Sequence, residues 1–141
     1  MNIFIQQSVA VWLRNFVAPC LFLMFALNST TLAQVSVTFK VNLKPQLEDS
    51  TFVPNRDQVY LKGDKFPLST QGKVSMNDGA PVDSVYQATV EFPVSSINQT
   101  LNYNFFITTP NKTMREQMPR QLKLQKGKTE LDAFYFDTFA W

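Results

Sequence analysis

The sequence of 141 residues predicts an all-β fold, an antiparallel two-sheet immunoglobulin-like sandwich of seven to eight strands, placed behind a signal peptide. Three observations predict it. Apolar and polar side chains alternate along several short runs, which is the period of a half-buried strand. All four glycines, and every proline beyond residue 33, fall between those runs or at their ends, where strand breakers belong. No apolar stripe of useful length recurs at helical spacing. Many short strands in one domain's length of chain suit two sheets that bury alternate side chains between them.

The N-terminal segment stands apart from this pattern. Residues 1–15 carry one charge, Arg14, and residues 16–27 are apolar, followed by Asn28, Ser29, Thr30 and Thr31. A hydrocarbon core ~30 Å thick needs about 20 apolar residues as helix, so the run is too short to span and reads as a signal-peptide core. Thr31-Leu32-Ala33 offers small side chains at the two positions a signal peptidase must accept, which predicts cleavage between Ala33 and Gln34. Cys20 follows Pro19 and the apolar run continues past it, so lipidation there is not expected. The expectation is a signal peptide over residues 1–33 and one exported domain over residues 34–141. It is secreted, periplasmic or at the cell surface, with no stable membrane span once the signal is removed.

Within the domain, residues 35–43 place Val35, Val37, Phe39, Val41 and Leu43 on one face and Ser36, Thr38, Lys40 and Asn42 on the other. Residues 58–62 and 73–76 are shorter strand candidates. Asn77-Asp78-Gly79 then reads as a hairpin turn, because Asp-Gly favours turn geometry. The same acids are too few for a calcium loop, since Ala80, Pro81 and Val82 separate them from Asp83. Over residues 84–92, Tyr86, Ala88, Val90 and Phe92 face inward and Gln87, Thr89 and Glu91 outward. Residues 101–108 bury Leu101, Tyr103, Phe105 and Ile107. Residues 113–118, 121–124 and 131–139 complete the series. Lys123, Lys126 and Lys128 around Gly127 read as a solvated hairpin, having no glycine-rich cradle for phosphate.

Composition removes whole classes of chemistry. The chain has no His, and its single Cys lies in the signal segment. This excludes Ser-His and Cys-His nucleophile pairs, His-ligated zinc and an internal disulfide. Glu91, Glu116, Glu130 and Asp132 form no pair set across a cleft and read as exposed strand acids. No catalytic residue, metal or cofactor is expected. Without residues 1–33 the chain has 12 basic and 11 acidic side chains, which gives no electrostatic footprint for nucleic acid.

Several segments between residues 37 and 136 carry a family resemblance. They are Val37-Thr38-Phe39-Lys40-Val41-Asn42-Leu43, then residues 57–68 with Val59-Tyr60-Leu61-Lys62-Gly63 and Phe66-Pro67-Leu68, then Met76-Asn77-Asp78-Gly79. Asp83-Ser84-Val85-Tyr86, Leu101-Asn102-Tyr103-Asn104-Phe105-Phe106-Ile107 and residues 116–120 follow. In order and spacing they resemble the starch-binding domains of the family-20 carbohydrate-binding modules. The resemblance implies a β-sandwich that holds α-glucan by stacking sugar rings on two exposed Trp, helped by a Lys. At the corresponding positions this chain has Ser69 and Thr70, Arg115, and Asn104, whereas Tyr60, Gly63, Tyr86, Tyr103, Phe105, Glu116 and Arg120 of the scaffold are kept.

Other aromatics are candidate platforms in place of the missing Trp: Phe66, Phe106, Tyr135 and Trp141, each of which also has a plain core reading. Arg120 and Glu116 read first as a structural ion pair. The candidate carbohydrate-contacting set is Phe66, Thr70, Asn104, Arg115, Glu116 and Trp141. The expected function is an exported, non-catalytic module that binds a polysaccharide or cell-surface glycan weakly, through a non-standard aromatic patch. The alternative is a structural or docking β-sandwich that packs against a partner hydrolase without binding glycan.

Overall fold

A computed structural model describes residues 34–138, so the expected signal peptide, its cleavage site and Trp141 lie outside the described residues. The fold is all-β. Nine strands carry it: β1 (Val35–Asn42), β2 (Gln58–Gly63), β3 (Val74–Asp78), β4 (Val85–Phe92) and β5 (Thr100–Thr108), followed by β6 (Thr113–Arg115), β7 (Arg120–Lys123), β8 (Gly127–Glu130) and β9 (Phe134–Tyr135). They form one mixed sheet in the order β6-β5-β2-β3-β4-β1-β8, with β7 also on β5 and β9 also on β1.

The three long alternating runs form the longest strands, and their apolar faces form the core. Val35, Val37, Phe39 and Val41 of β1, Val90 and Phe92 of β4, and Leu101, Tyr103, Phe105 and Ile107 of β5 are buried together with Val59 and Leu61 of β2. Each such side chain contributes roughly 1.5–3 kcal/mol on removal from water. β1 pairs with β4 in an antiparallel ladder from Val35↔Phe92 to Asn42↔Val85, which keeps the two apolar faces in register. The Phe39 ring meets the Tyr103 ring edge-on at 4.9 Å although β2, β3 and β4 lie between their strands in the sheet. β3 makes the change of partner: Val74, Ser75 and Met76 pair with β2, and Asn77 and Asp78 pair with β4.

Several expectations from sequence are corrected. The sheet is not wholly antiparallel, because β8 and β9 run parallel to β1. A parallel partner requires a long connection, and nearly the whole domain separates β1 from β8. The Lys123 to Lys128 segment is therefore no hairpin. It leaves β7 on β5 and enters β8 on β1, with Gly127 at φ +97° opening the new strand. The terminal run contributes only the two residues of β9, and the strand count is nine instead of seven or eight.

Asp78-Gly79 is not a tight hairpin turn either. Six residues separate β3 from β4, and the Asp78 carboxylate accepts the backbone N–H groups of Asp83 and Ser84 at 3.3 and 3.0 Å to organise the loop. Two short helices, α1 (Lys44–Glu48) and α2 (Leu68–Gln71), also occur where no helical stripe was visible. At five and four residues they are too short to show one. Among the described residues no helix is long and apolar enough to cross a membrane.

β6 and β7 share one edge of β5 and are separated by a bulge. Phe106 pairs with Arg115 and Tyr103 with Arg120, so the four residues 116–119 stand opposite the two residues Asn104 and Phe105. Such an insertion bends the strand and leaves ladder groups to be satisfied by other means.

Gly63 ends β2 at a close approach of chains. A Cβ there would lie 2.8 Å from Leu68 Cδ1, 3.1 Å from Leu101 Cδ1 and 3.2 Å from the Asn102 carbonyl oxygen. The two side chains can shift but the carbonyl belongs to the β5 ladder. Gly63→Ala is expected to lower stability in urea unfolding by about 1–3 kcal/mol, and an unchanged midpoint would show that this corner is looser than its geometry.

Candidate functional site

The core face of β2 and β5 is filled by Val59, Leu61, Leu101, Tyr103, Phe105 and Ile107. Their neighbours in sequence point to the opposite, outer face. Register places these outer residues in rows. Ser75, Tyr60, Phe106 and Arg115 lie across β3, β2, β5 and β6, and Lys62 lies opposite Asn104. Asn102 lies opposite Gln121, and Thr100 opposite Lys123.

The centre of this face is aromatic. The Tyr60 and Phe106 rings stack with centroids 5.0 Å apart and planes 7° from parallel, a pairing worth about 0.5–1.5 kcal/mol beyond the area it buries. Lys62 Nζ sits 5.7 Å from the Tyr60 centroid and 5.4 Å from that of Phe106, and Lys73 Nζ lies 5.3 Å from Tyr60. Beneath this cover Tyr60 is 7% exposed, while Phe106 is half-buried. An exposed cation over a ring gains only ~0.5–1 kcal/mol, so a ligand with better contacts can displace either lysine from the rings.

Polar side chains hold the margins. The Asp64 carboxylate accepts the Asn102 backbone N–H at 2.9 Å and its side-chain amide at 2.8 Å. Burial alone would raise the Asp64 carboxyl, but these Asn102 donors outweigh it and hold the group below its usual range. Asn102 Oδ1 accepts Gln121 Nε2 at 3.0 Å, which extends the clamp to β7. Asn104 donates its amide to the Met118 carbonyl at 2.9 Å and to the Glu116 carbonyl at 3.5 Å. It braces the bulge between β6 and β7, which commits its donors to the chain itself.

Glu116 corrects the expectation of an exposed acid, for it is 0% exposed. Its oxygens accept the Phe105 backbone N–H at 3.0 Å, the Asp137 N–H at 3.2 Å and the Arg120 guanidinium at 2.7 Å. The ion pair with Arg120 is as expected, but the carboxylate is consumed inside the fold and offers nothing to a ligand. Arg120 also donates to the Tyr135 and Thr138 carbonyls, and its guanidinium lies 5.4 Å over the Phe105 ring. Nearby, burial pushes the Tyr103 hydroxyl up to about 12, opposed by Arg120 and reinforced by Glu116.

The remaining nominated residues are dispersed. Phe66 is 59% exposed, in the loop between β2 and α2. Thr70 is exposed in α2, with its hydroxyl donated to the Pro67 carbonyl at 3.0 Å. Arg115 is exposed and lies opposite Phe106. Tyr135 is exposed in β9 beside Phe134, whose ring lies 5.9 Å under Arg120. Of the nominated aromatics, Phe106 alone belongs to a stacked pair among the described residues.

Sequence reasoning left Tyr60 among the scaffold residues and passed over Lys62 and Lys73. The signal was present: with Val59 and Leu61 inward, alternation puts Gln58, Tyr60 and Lys62 outward. An open cleft of about 630 Å³, lined by Leu47, Arg56, Val59, Met76, Asp78 and Tyr86 among others, reaches the margin of this face at Gln58 and Ser75. None of the nominated residues lines it. Among the described residues no group of three or more His, Cys, Asp or Glu could hold a metal. No protein-family model matches the chain, and a search of curated proteins finds no match.

Removing the Glu116 charge leaves the Arg120 guanidinium in a site that is largely closed to water. Glu116→Gln preserves shape but not charge, and is expected to cost about 3–5 kcal/mol, read as a lowered urea midpoint. A loss under 1 kcal/mol would show that Arg120 finds another anion or escapes to solvent.

Proposed function

We propose that this chain is an exported, non-catalytic glycan-binding module with a two-sheet immunoglobulin-like sandwich of starch-binding type. The stacked Tyr60–Phe106 pair on the outer face of β2 and β5 carries the proposal. Sugar rings have apolar C–H faces, and an aromatic surface ringed by polar groups is what such a face lies upon. The half-buried Phe106 ring offers such a surface where the family's tryptophans are replaced.

The sandwich reading is supported by the change of partner in β3 and by the Phe39–Tyr103 contact between strands far apart in the sheet order. In this reading β6-β5-β2 faces β4-β1-β8 across the core. The family reading is supported by the retained scaffold residues Tyr60, Gly63, Tyr103 and Phe105, and by the Glu116–Arg120 pair. Export is supported by the apolar segment and small residues before Gln34.

A second reading, docking to a partner protein such as a hydrolase, is favoured by exposed Met118, Phe134 and Tyr135 near the C-terminal end of the described residues. Exposed apolar side chains in one region mark interaction surfaces.

Affinity electrophoresis separates the two. The exported protein is expected to be retarded in gels containing at least one member of a panel of neutral and acidic polysaccharides. Phe106→Ala should lose the retardation while Val82→Ala, at an exposed site elsewhere, keeps it. Unaltered migration in every gel would refute glycan binding and leave the docking reading.

A further inference from the structure

We infer that the outer face of β2, β5 and β6 binds an acidic polysaccharide, with Lys62, Lys73 and Arg115 meeting its anionic groups around the Tyr60–Phe106 pair. This deepens the glycan-binding reading and rests on it. The first observation is an imbalance of charge between the two outer faces. Strands β2, β5, β6 and β7 contain no acidic residue. Their outer face displays Lys62, Arg115 and Lys123, with Lys73 just before β3. The acid that reaches this face, Asp64, has both oxygens committed to Asn102.

The outer face of β1, β4 and β8 is built differently. Lys40 pairs with Glu130, Glu91 accepts the Ser36 hydroxyl, and Lys128 balances the remaining charge. Among the described residues, none of Lys62, Lys73, Arg115 and Lys123 forms an ion pair. Four of the eight described Lys and Arg residues outside any ion pair, with no free acid among them, thus lie on the face that carries the stacked aromatic pair.

The second observation is the placement of the two lysines. Both ammonium groups lie over the same Tyr60 ring, and Lys62 lies over Phe106 as well. A carboxylate or sulfate arriving there pairs with an ammonium group and draws it off the ring surface, which the sugar that carries the anion then covers. Neighbouring strands lie about 4.8 Å apart, so Lys62 on β2 and Arg115 on β6 are two strand spacings apart across β5. That arrangement suits charges repeated along a polymer better than one isolated anion.

Nucleic acid fits less well. The overall charge lacks the basic excess of a phosphate-backbone binder.

The test compares binding of the exported protein to polygalacturonate, chondroitin sulfate, amylose and single-stranded DNA at low and moderate salt. Polygalacturonate or chondroitin sulfate is expected to bind, with affinity falling as salt rises. The double substitution Lys62→Gln/Lys73→Gln should weaken that binding about tenfold. Both side chains lie outside the core, and an unchanged melting temperature of the variant confirms that the fold is intact. Salt dependence of the unaltered protein provides a second reading that needs no variant. Binding to amylose alone, equal in the variant, would overturn the acidic-ligand inference and leave glycan binding standing. Binding to no polysaccharide would overturn both. DNA bound as tightly as the acidic polysaccharides would replace saccharide recognition with general polyanion binding.

Discussion

A single buried carboxylate holds together the part of the sheet on which the outer face is built. Glu116 sits where β5 loses its regular partner, as the first residue of a bulged segment with two extra residues opposite Asn104 and Phe105. Its oxygens take the Phe105 N–H that the interrupted ladder leaves free, the Asp137 N–H of the C-terminal segment and the Arg120 guanidinium. An unpaired ladder donor in this core would cost about 1–3 kcal/mol, and an unpaired carboxylate would cost more. Glu116 and Arg120 meet both needs at once, and Arg120 extends the network to the Tyr135 and Thr138 carbonyls.

The bulge has a consequence on the other side of the sheet. Asn104 turns its amide toward the Met118 and Glu116 carbonyls, which pins the irregular segment against β5 from the outer face. The next outward residue along β5, Phe106, then lies in a regular stretch with Tyr60 on one side and Arg115 on the other. The buried network and the aromatic pair are thus two faces of the same strand. Asn104 thereby serves as support for the irregular segment, and the positive charge of this face comes from Lys62 on β2, Lys73 just before β3 and Arg115 on β6.

Much of the scaffold was legible in the sequence because long half-buried strands write their period directly. β1, β4 and β5 lie within a residue or two of the runs read for them. β8 was not, since Gly127-Lys128-Thr129-Glu130 is short, polar and paired with β1 only by a long-range parallel ladder. No local pattern announces such a partner. Glu116 was misread for a related reason: its burial is decided by Phe105, Arg120 and Asp137, and a carboxylate between Arg115 and Gln117 looks solvated when read locally. The pairing with Arg120 was readable because the two lie four positions apart. Tyr60 shows a different failure, where alternation pointed outward but an aromatic between Val59 and Leu61 was assigned to the scaffold. Its pairing with Phe106 depends on the register of β2 against β5, which sequence alone does not contain.

The outer face around Tyr60 and Phe106 is the proposed meeting place with a saccharide. Amide chemical-shift mapping of the isotope-labelled protein, titrated with oligosaccharide fragments of a polysaccharide that retards it, reads that face residue by residue. The shifts are expected to concentrate at Tyr60, Lys62, Asn104, Phe106 and Arg115. Shifts confined to the cleft around Arg56, Asp78 and Tyr86, or to Phe134 and Tyr135 in β9, would contradict that placement.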